Sequence, residues 1–181
     1  MLKALAAIMI VCVSMITWTE GLPSRDDYRG KARAYNNLGA ALQKAGRNDE
    51  AKGHFLTAIR RAPAYSDAYA NYGTAMAIDG QYQEAEGYYR IALNFRPADG
   101  VVHYNLGDCL FRQGRFEEAV DEFRAAIQAG AMVAESRNNC GYIRANQGRY
   151  QEAIAEFRLS LAADPTNYPA GMNLKLLAQR L

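Results

Sequence analysis

The sequence predicts an all-α solenoid in which four helical hairpins of 34 residues each precede one closing helix. Three series of residues recur with this period. Asn-x-Gly triplets begin at Asn37, Asn71, Asn105 and Asn139. Turn glycines, each followed four and five residues later by Glu and Ala, stand at Gly46, Gly80, Gly114 and Gly148. The units end at Pro63, Pro97 and Pro165, with Ala131 in the third. Such a period is typical of a unit that stacks on its neighbours.

Composition supports one domain with a real interior and disfavours some partners. Of 181 residues, 50% are hydrophobic and 22% are charged, which is enough for a buried core. Lys and Arg number 21 against 19 Asp and Glu. Because this excess is small, we expect neither nucleic acid nor an anionic lipid surface as the partner.

The first twenty residues differ from the rest. Lys3 precedes an almost uninterrupted apolar run from Ala4 to Trp18. A basic start and an apolar stretch of this length predict a signal peptide over residues 1–20, and hence a periplasmic or secreted protein. An uncleaved signal anchor, with residues 2–18 held in a membrane, is the open alternative. Residues 21–31 are polar and are predicted to be a linker.

The first unit, residues 32–65, shows how each hairpin is encoded. Apolar side chains recur at helical intervals in two runs, which contain Tyr35, Leu38, Leu42, and then Ala51, Phe55, Ala58 and Ile59. Gly46 between the runs is suited to the left-handed conformation that ends a helix. Pro63 lacks an amide hydrogen and stops the second helix. Small residues such as Gly39 let the two helix axes approach closely.

The pattern resembles the tetratricopeptide repeat, whose signature is Trp-x2-Leu-Gly-x2-Tyr, then Ala-x3-Phe, then Pro. The matching units are residues 32–65, 66–99, 100–133 and 134–167, with residues 168–181 as a capping helix. The resemblance implies a right-handed superhelix in which the first helix of each hairpin lines the concave face. A fold of this kind is expected to bind a protein or peptide partner on that face.

The positions that the resemblance places on the concave face carry amides in register. They are Asn37, Asn71, Asn105, Asn139 and Asn173. A primary amide has both donors and an acceptor, so a row of amides can pair with the backbone of an extended peptide whatever its side chains. The row is similar to the asparagine ladder of the intracellular O-linked N-acetylglucosamine transferases. Because Asn is also common at this position in the family, a purely structural role is the alternative.

Other side chains predicted on this surface are aromatic or charged. They are Tyr104, Asp108, Phe111, Arg112 and Tyr142. The three aromatic residues are expected to form an apolar patch of the kind that anchors interfaces, with packing against neighbouring helices as the alternative. The paired lysine and arginine positions that clamp chaperone C-termini in some relatives hold other residues here. We therefore expect no binding of cytosolic chaperone tails.

The fourth unit departs from the family pattern. Arg137 and Arg144 occupy positions usually given to large buried side chains. One interpretation is that their methylene stems cover the core while their charged groups stay in water. The other is a charged contact site or a looser unit. Two further residues, Cys109 and Cys140, lie on adjacent first helices and are interpreted as buried thiols, with a disulfide as the alternative.

The sequence supplies little for catalysis. Its two histidines, His54 and His103, lie in different units, and no phosphate-binding Gly-x-x-x-x-Gly-Lys loop is present. We predict no enzyme activity, no cofactor and no metal site. Two functions remain: a scaffold or adaptor for a protein or extended peptide, and an assembly factor or chaperone for an envelope or secretion complex. The sequence does not indicate the oligomeric state.

Overall fold

The structure is a computed structural model and describes residues 25–179. This part of the chain forms nine helices and contains no strand, which confirms the all-α prediction. The helices are α1 (Arg25–Lys44), α2 (Asn48–Arg61), α3 (Ser66–Ile78), α4 (Tyr82–Phe95), α5 (Gly100–Arg112), α6 (Phe116–Gln128), α7 (Val133–Asn146), α8 (Tyr150–Ala163) and α9 (Tyr168–Ala178). Successive helices pair as hairpins, and α9 packs on the last hairpin.

A left-handed glycine closes the first helix of every hairpin. The φ angles of Gly46, Gly80, Gly114 and Gly148 are 76°, 78°, 77° and 75°. At the first turn, the amide of Gly46 donates to the carbonyl of Gln43 at 3.0 Å, and the amide of Arg47 donates to Leu42 at 2.9 Å. These two bonds satisfy carbonyls that the end of the helix would otherwise leave unpaired. The predicted hairpin turn is therefore present.

The third hairpin ends differently because it lacks the proline. Helix α6 ends at Gln128, Gly130 takes a φ of 71°, and Met132 takes a φ of 48°. The amide of Ala131, which a proline would lack, donates to the carbonyl of Ala126 at 3.0 Å. A glycine cap thus replaces the proline stop.

The core of each hairpin is an aromatic ring held against a glycine. Phe55, Tyr89, Phe123 and Phe157 are buried, and each faces a glycine of the preceding helix. A Cβ atom on Gly39 would lie 2.6 Å from the ring of Phe55, and one on Gly141 would lie 2.7 Å from that of Phe157. The two helix axes of each hairpin therefore approach closely, as the small residues in the sequence predict.

Ion pairs join neighbouring hairpins. Nζ of Lys52 in α2 lies 2.5 Å from Oδ2 of Asp79, the residue that follows α3. Arg115, before α6, lies 2.8 Å from Glu86 of α4. Lys52 and Glu86 are 34 residues apart and so hold the same repeat position with opposite charge. The first two steps of the solenoid thus each have a polar contact of their own.

The two ends of the chain differ from the prediction in detail. The predicted linker, residues 21–31, is described only from Arg25, and from there it is part of α1. Lys175 of α9 and Gln179 just after it are exposed as expected for a cap, but so are Tyr168, Met172 and Leu176. The predicted signal or anchor, residues 1–20, lies outside the described residues. Within residues 25–179, no helix has the length and apolar character needed to cross a bilayer.

Candidate functional site

The first helices of the hairpins form the inner side of the stack. Contacts join α1 to α3, α3 to α5 and α7 to α9, whereas no two second helices make contacts of this extent in the described part. Elements on the inside of a curve lie closer together than those on the outside. The helices that carry the predicted surface residues therefore line the concave side.

The asparagine row is partly occupied by bonds between repeats. Asn71 donates from Nδ2 to Oδ1 of Asn36 at 2.9 Å, and Asn173 donates to Asn138 at 3.0 Å. Both bonds span 35 residues and connect adjacent first helices. These two amides thus have a structural role, although each keeps one N–H and a carbonyl lone pair for a ligand.

The remaining amides of the row have different surroundings. The residue that precedes Asn105 by the same 35 positions is Ala70, whose side chain offers no acceptor. Asn105 is half-buried and has no side-chain hydrogen bond within the described part of the chain. Asn37 is exposed on the first hairpin. Asn139 accepts a bond from Asn138 at 3.4 Å. Asn105 is therefore the free amide at the centre of the face.

Two of the three predicted aromatic residues meet. The rings of Phe111 and Tyr142 are 5.8 Å apart in an edge-to-face arrangement, and Phe116 lies 5.6 Å from Phe111 on its other side. Tyr142 and Phe116 remain 45% and 41% exposed. We call these three residues the aromatic cluster. The sequence does not predict Phe116 as a site residue, because it begins the second helix of its hairpin and not the first. The only sign of it in the sequence is an aromatic residue at the start of that helix.

Tyr104 does not join the aromatic cluster. Its ring packs 5.7 Å from that of Phe123 in the core of the third hairpin. Burial, helped by the charge of Asp108, raises the pKa of the Tyr104 hydroxyl, while a hydrogen bond with Asn139 opposes the rise. Tyr104 therefore stays neutral, and its ring belongs to the packing of the third hairpin.

The predicted charged residues of the site pair with each other. Nε of Arg112 lies 3.7 Å from Oδ2 of Asp108, one turn earlier on α5. Both side chains are partly exposed, and a pair of this kind contributes little to stability. They remain available to a charged ligand.

A cavity of about 250 Å³ opens beside the aromatic cluster, between α7 and α9. It is lined by Tyr142, Ala145, Asn146, Phe157, Asn173, Leu176 and Leu177. No charged side chain is among them. The concave face therefore ends in an uncharged hollow with two amides at its edge.

The family model that describes a tetratricopeptide repeat matches this chain over residues 36–101, 94–132 and 104–168. The chain belongs to the tetratricopeptide repeat (TPR) family. A search of curated protein sequences finds no match.

Several solved TPR structures share the fold. MamA from Desulfovibrio magneticus RS-1 is 21% identical with a TM-score of 0.74, over 83% of this chain and 85% of the MamA chain. PilF from Pseudomonas aeruginosa is 24% identical with a TM-score of 0.77, over 86% and 70%. YrrB, described as a TPR protein with an unusual peptide-binding site, is 23% identical with a TM-score of 0.68, over 81% and 75%.

The two unusual arginines of the fourth TPR unit are both paired. Arg137 donates to Glu156 at 2.9 Å. Arg144 is buried, with only 6% of its side chain exposed, and donates to Glu117 at 3.1 Å and to Gln147 at 2.9 Å. The interpretation that the charged group of Arg144 stays in water is therefore wrong. This arginine connects the third and fourth hairpins.

The residues considered for chemistry are inert or structural. Cys109 and Cys140 are free and buried, and burial raises the pKa of each thiol to about 12. His103 contacts Glu122 at 2.6 Å and the carbonyl of Pro97 at 2.8 Å, and His54 stacks on Tyr35. In the region covered by the structure, no group of His, Cys, Asp or Glu side chains is arranged to hold a metal ion. The TPR fold is typical of non-catalytic scaffolds.

Proposed function

We propose that this TPR protein is a scaffold that holds an extended segment of a partner protein on its concave face. The observation that supports this most is the exposed ring of Tyr142, held edge-on by Phe111 beside an uncharged cavity. Aromatic side chains in such settings tend to carry the binding energy of an interface. The peptide-binding site of YrrB, which has the same fold, is in keeping with this proposal.

The concave face also has groups that suit a peptide backbone. Asn105 is free at its centre, and Asn71 and Asn173 each retain one N–H after pairing with a neighbouring helix. An extended backbone presents alternating N–H and carbonyl groups, which primary amides can match. Affinity would then come from the backbone and from a few apolar side chains.

Site-specific photocrosslinking in the native cells tests this proposal. The full chain carries benzoylphenylalanine at Asn105 in one variant and at Arg158, an exposed residue of α8, in the control. We expect a discrete crosslinked partner from position 105 and none from position 158. Capture from position 158 alone would contradict a concave site.

We further propose that residues 1–20 direct export, so that the partner is a periplasmic or secreted protein. The apolar run from Ala4 to Trp18 after Lys3 supports this. An envelope or secretion complex would then be the assembly that the scaffold serves. A C-terminal alkaline phosphatase fusion should be active, and Ile10→Asp should abolish that activity. N-terminal sequencing then distinguishes a cleaved signal from a retained membrane anchor.

A further inference from the structure

The cavity between α7 and α9 lies at a repeat position that an aromatic ring fills one hairpin earlier. Phe111 and Tyr142 are 31 residues apart and join α5 to α7 through their rings. The equivalent pair is Ala145 and Leu176, also 31 residues apart, and both line the cavity. A methyl group thus stands where the preceding hairpin has a phenyl ring. The cavity therefore lies beside the position that a ring fills one hairpin earlier.

The lining of the cavity selects an apolar group. Phe157 and Leu177 are buried and form its inner wall, while Tyr142 and Leu176 are about half exposed at its mouth. A charged group placed here would lose its hydration with no ionic partner among the lining residues, which is costly. An aromatic ring would instead gain edge contacts with Tyr142, as Phe111 does.

Two amides at the cavity can bind the backbone on either side of such a ring. Asn173 uses one N–H for Oδ1 of Asn138 at 3.0 Å and retains the other. Asn146 is exposed, and its side chain has no hydrogen bond to another described residue. Each amide supplies a donor and an acceptor. The site therefore combines an apolar hollow with polar groups suited to a peptide.

We propose that this cavity takes one aromatic side chain of the partner segment, in the place that Phe111 occupies one hairpin earlier. This inference rests on the proposed scaffold function, and it adds which kind of side chain the partner segment must carry. The volume of about 250 Å³ is smaller than most sites for drug-sized ligands, which span roughly 300–1,000 Å³, and suits a single bulky side chain.

Binding of blocked amino acids to the full chain tests the chemistry directly. The probes are the N-acetyl methylamides of phenylalanine, lysine and glutamate, and the readout is methyl NMR of Ala145, Leu176 and Leu177. We expect saturable shifts of these methyls with the phenylalanine probe only. The methyls of Leu38, at the other end of the chain, serve as the control. Equal shifts with all three probes, or no shift with any, would overturn the aromatic site.

A variant that fills the cavity separates this inference from the scaffold function. Ala145→Phe supplies the missing ring from the protein itself, and Ala162→Phe adds a ring to exposed α8 as the control. Ala145→Phe should remove the NMR shifts and weaken the crosslink from position 105, whereas Ala162→Phe should change neither. If the crosslink is unchanged in Ala145→Phe, the proposed aromatic site is wrong, whereas the proposed scaffold function is unaffected. Absence of a crosslink from position 105 in the chain that keeps Ala145 would instead contradict the scaffold.

Discussion

Gly107 of α5 lies directly against the ring of Phe123 in α6. A Cβ atom at this glycine would come within 2.8 Å of two ring carbons, Cδ1 and Cε1. Because Phe123 is fully buried, its ring has nowhere to move. The same relationship recurs in the other hairpins and sets the distance between their helices.

Gly107→Ala should therefore lower the free energy of unfolding by about 1–3 kcal/mol, as overpacking of a core does. Gly87→Ala is the matched control, since a Cβ at this exposed position within α4 meets nothing within 4 Å. It should raise stability by roughly 0.5–1 kcal/mol through helix propensity. Urea unfolding followed by circular dichroism measures both. A stabilised Gly107→Ala would refute the close approach.

The bond between Glu86 and Arg115 gives a second prediction. Glu86 is buried and accepts hydrogen bonds from Arg115 and Gln113 at 2.8 Å. Glu86→Ala should lower the free energy of unfolding by about 1–3 kcal/mol, because Nη1 of Arg115 loses its acceptor and Nε2 of Gln113 keeps only the carbonyl of Tyr82, at 3.4 Å. Gln83→Ala, at an exposed position of the same helix, should have little effect. Similar urea midpoints for the two variants would exclude a stabilising role.

Acid should weaken the same contact. Burial alone would raise the pKa of Glu86, but hydrogen bonds from Gln113 and Arg115 and the charge of Arg90 lower it below its usual value. A carboxyl group whose pKa is lower in the folded state stabilises the fold above its unfolded pKa of about 4.3, and this stabilisation is lost as pH falls further.

Urea midpoints of the wild type and Glu86→Gln, measured from pH 7 to pH 3, test the effect of acid. The variant should lose less stability than the wild type between about pH 5 and pH 3, since it has no carboxyl group to protonate at this position. Glu84→Gln, an exposed neighbour without an ion pair in the described part, should follow the wild type. Parallel curves for Glu86→Gln and the wild type would contradict the shift.

Much of the fold could be predicted because its determinants are local. Turn glycines and closing prolines act within a few residues, and their period of 34 is visible in the sequence. The site is less predictable because its contacts cross between hairpins. Asn71 meets Asn36 35 residues earlier, but Asn105 meets no such amide, since the residue there is Ala70. Equivalent asparagines thus differ in availability through neighbours that do not repeat.

Arg144 illustrates the same limit. Its position holds Leu42 and Leu110 in other hairpins, so the sequence suggests an apolar site. The guanidinium is instead buried and bonded to Gln147, three residues further on, and to Glu117 at the start of α6, which only the fold brings close. No periodic pattern marks those partners.

Replacement of Arg144 should depend on volume more than on charge. Arg144→Leu should change the free energy of unfolding by less than about 1 kcal/mol or raise it, because an apolar side chain fills the site without burying a charge. Arg144→Ala should lower it by about 2 kcal/mol through lost packing. Glu117 is 66% exposed and can return to water in both variants. Equal losses in the two variants would show that the ion pair itself stabilises the protein.

The two core cysteines should be unreactive in the folded protein. Burial raises the pKa of Cys109 and Cys140 to about 12, so the thiolate is scarce at neutral pH. In a Cys12→Ser background, Ellman's reagent should detect almost no thiol in the native state and both thiols in urea. Two missing thiols in urea would indicate a disulfide, and fast reaction in the native state would contradict burial.

The opposite charges of Lys52 and Glu86 have a consequence for the deletion of one repeat unit from the gene. Recombination between 34-residue repeats can delete one unit while keeping the reading frame. Deletion of residues 66–99 would place Lys52 next to Arg115, where Glu86 now stands. Two cations would then meet between the joined hairpins. The units are thus alike in shape but not interchangeable in order, because the charges between these hairpins match only in the present order.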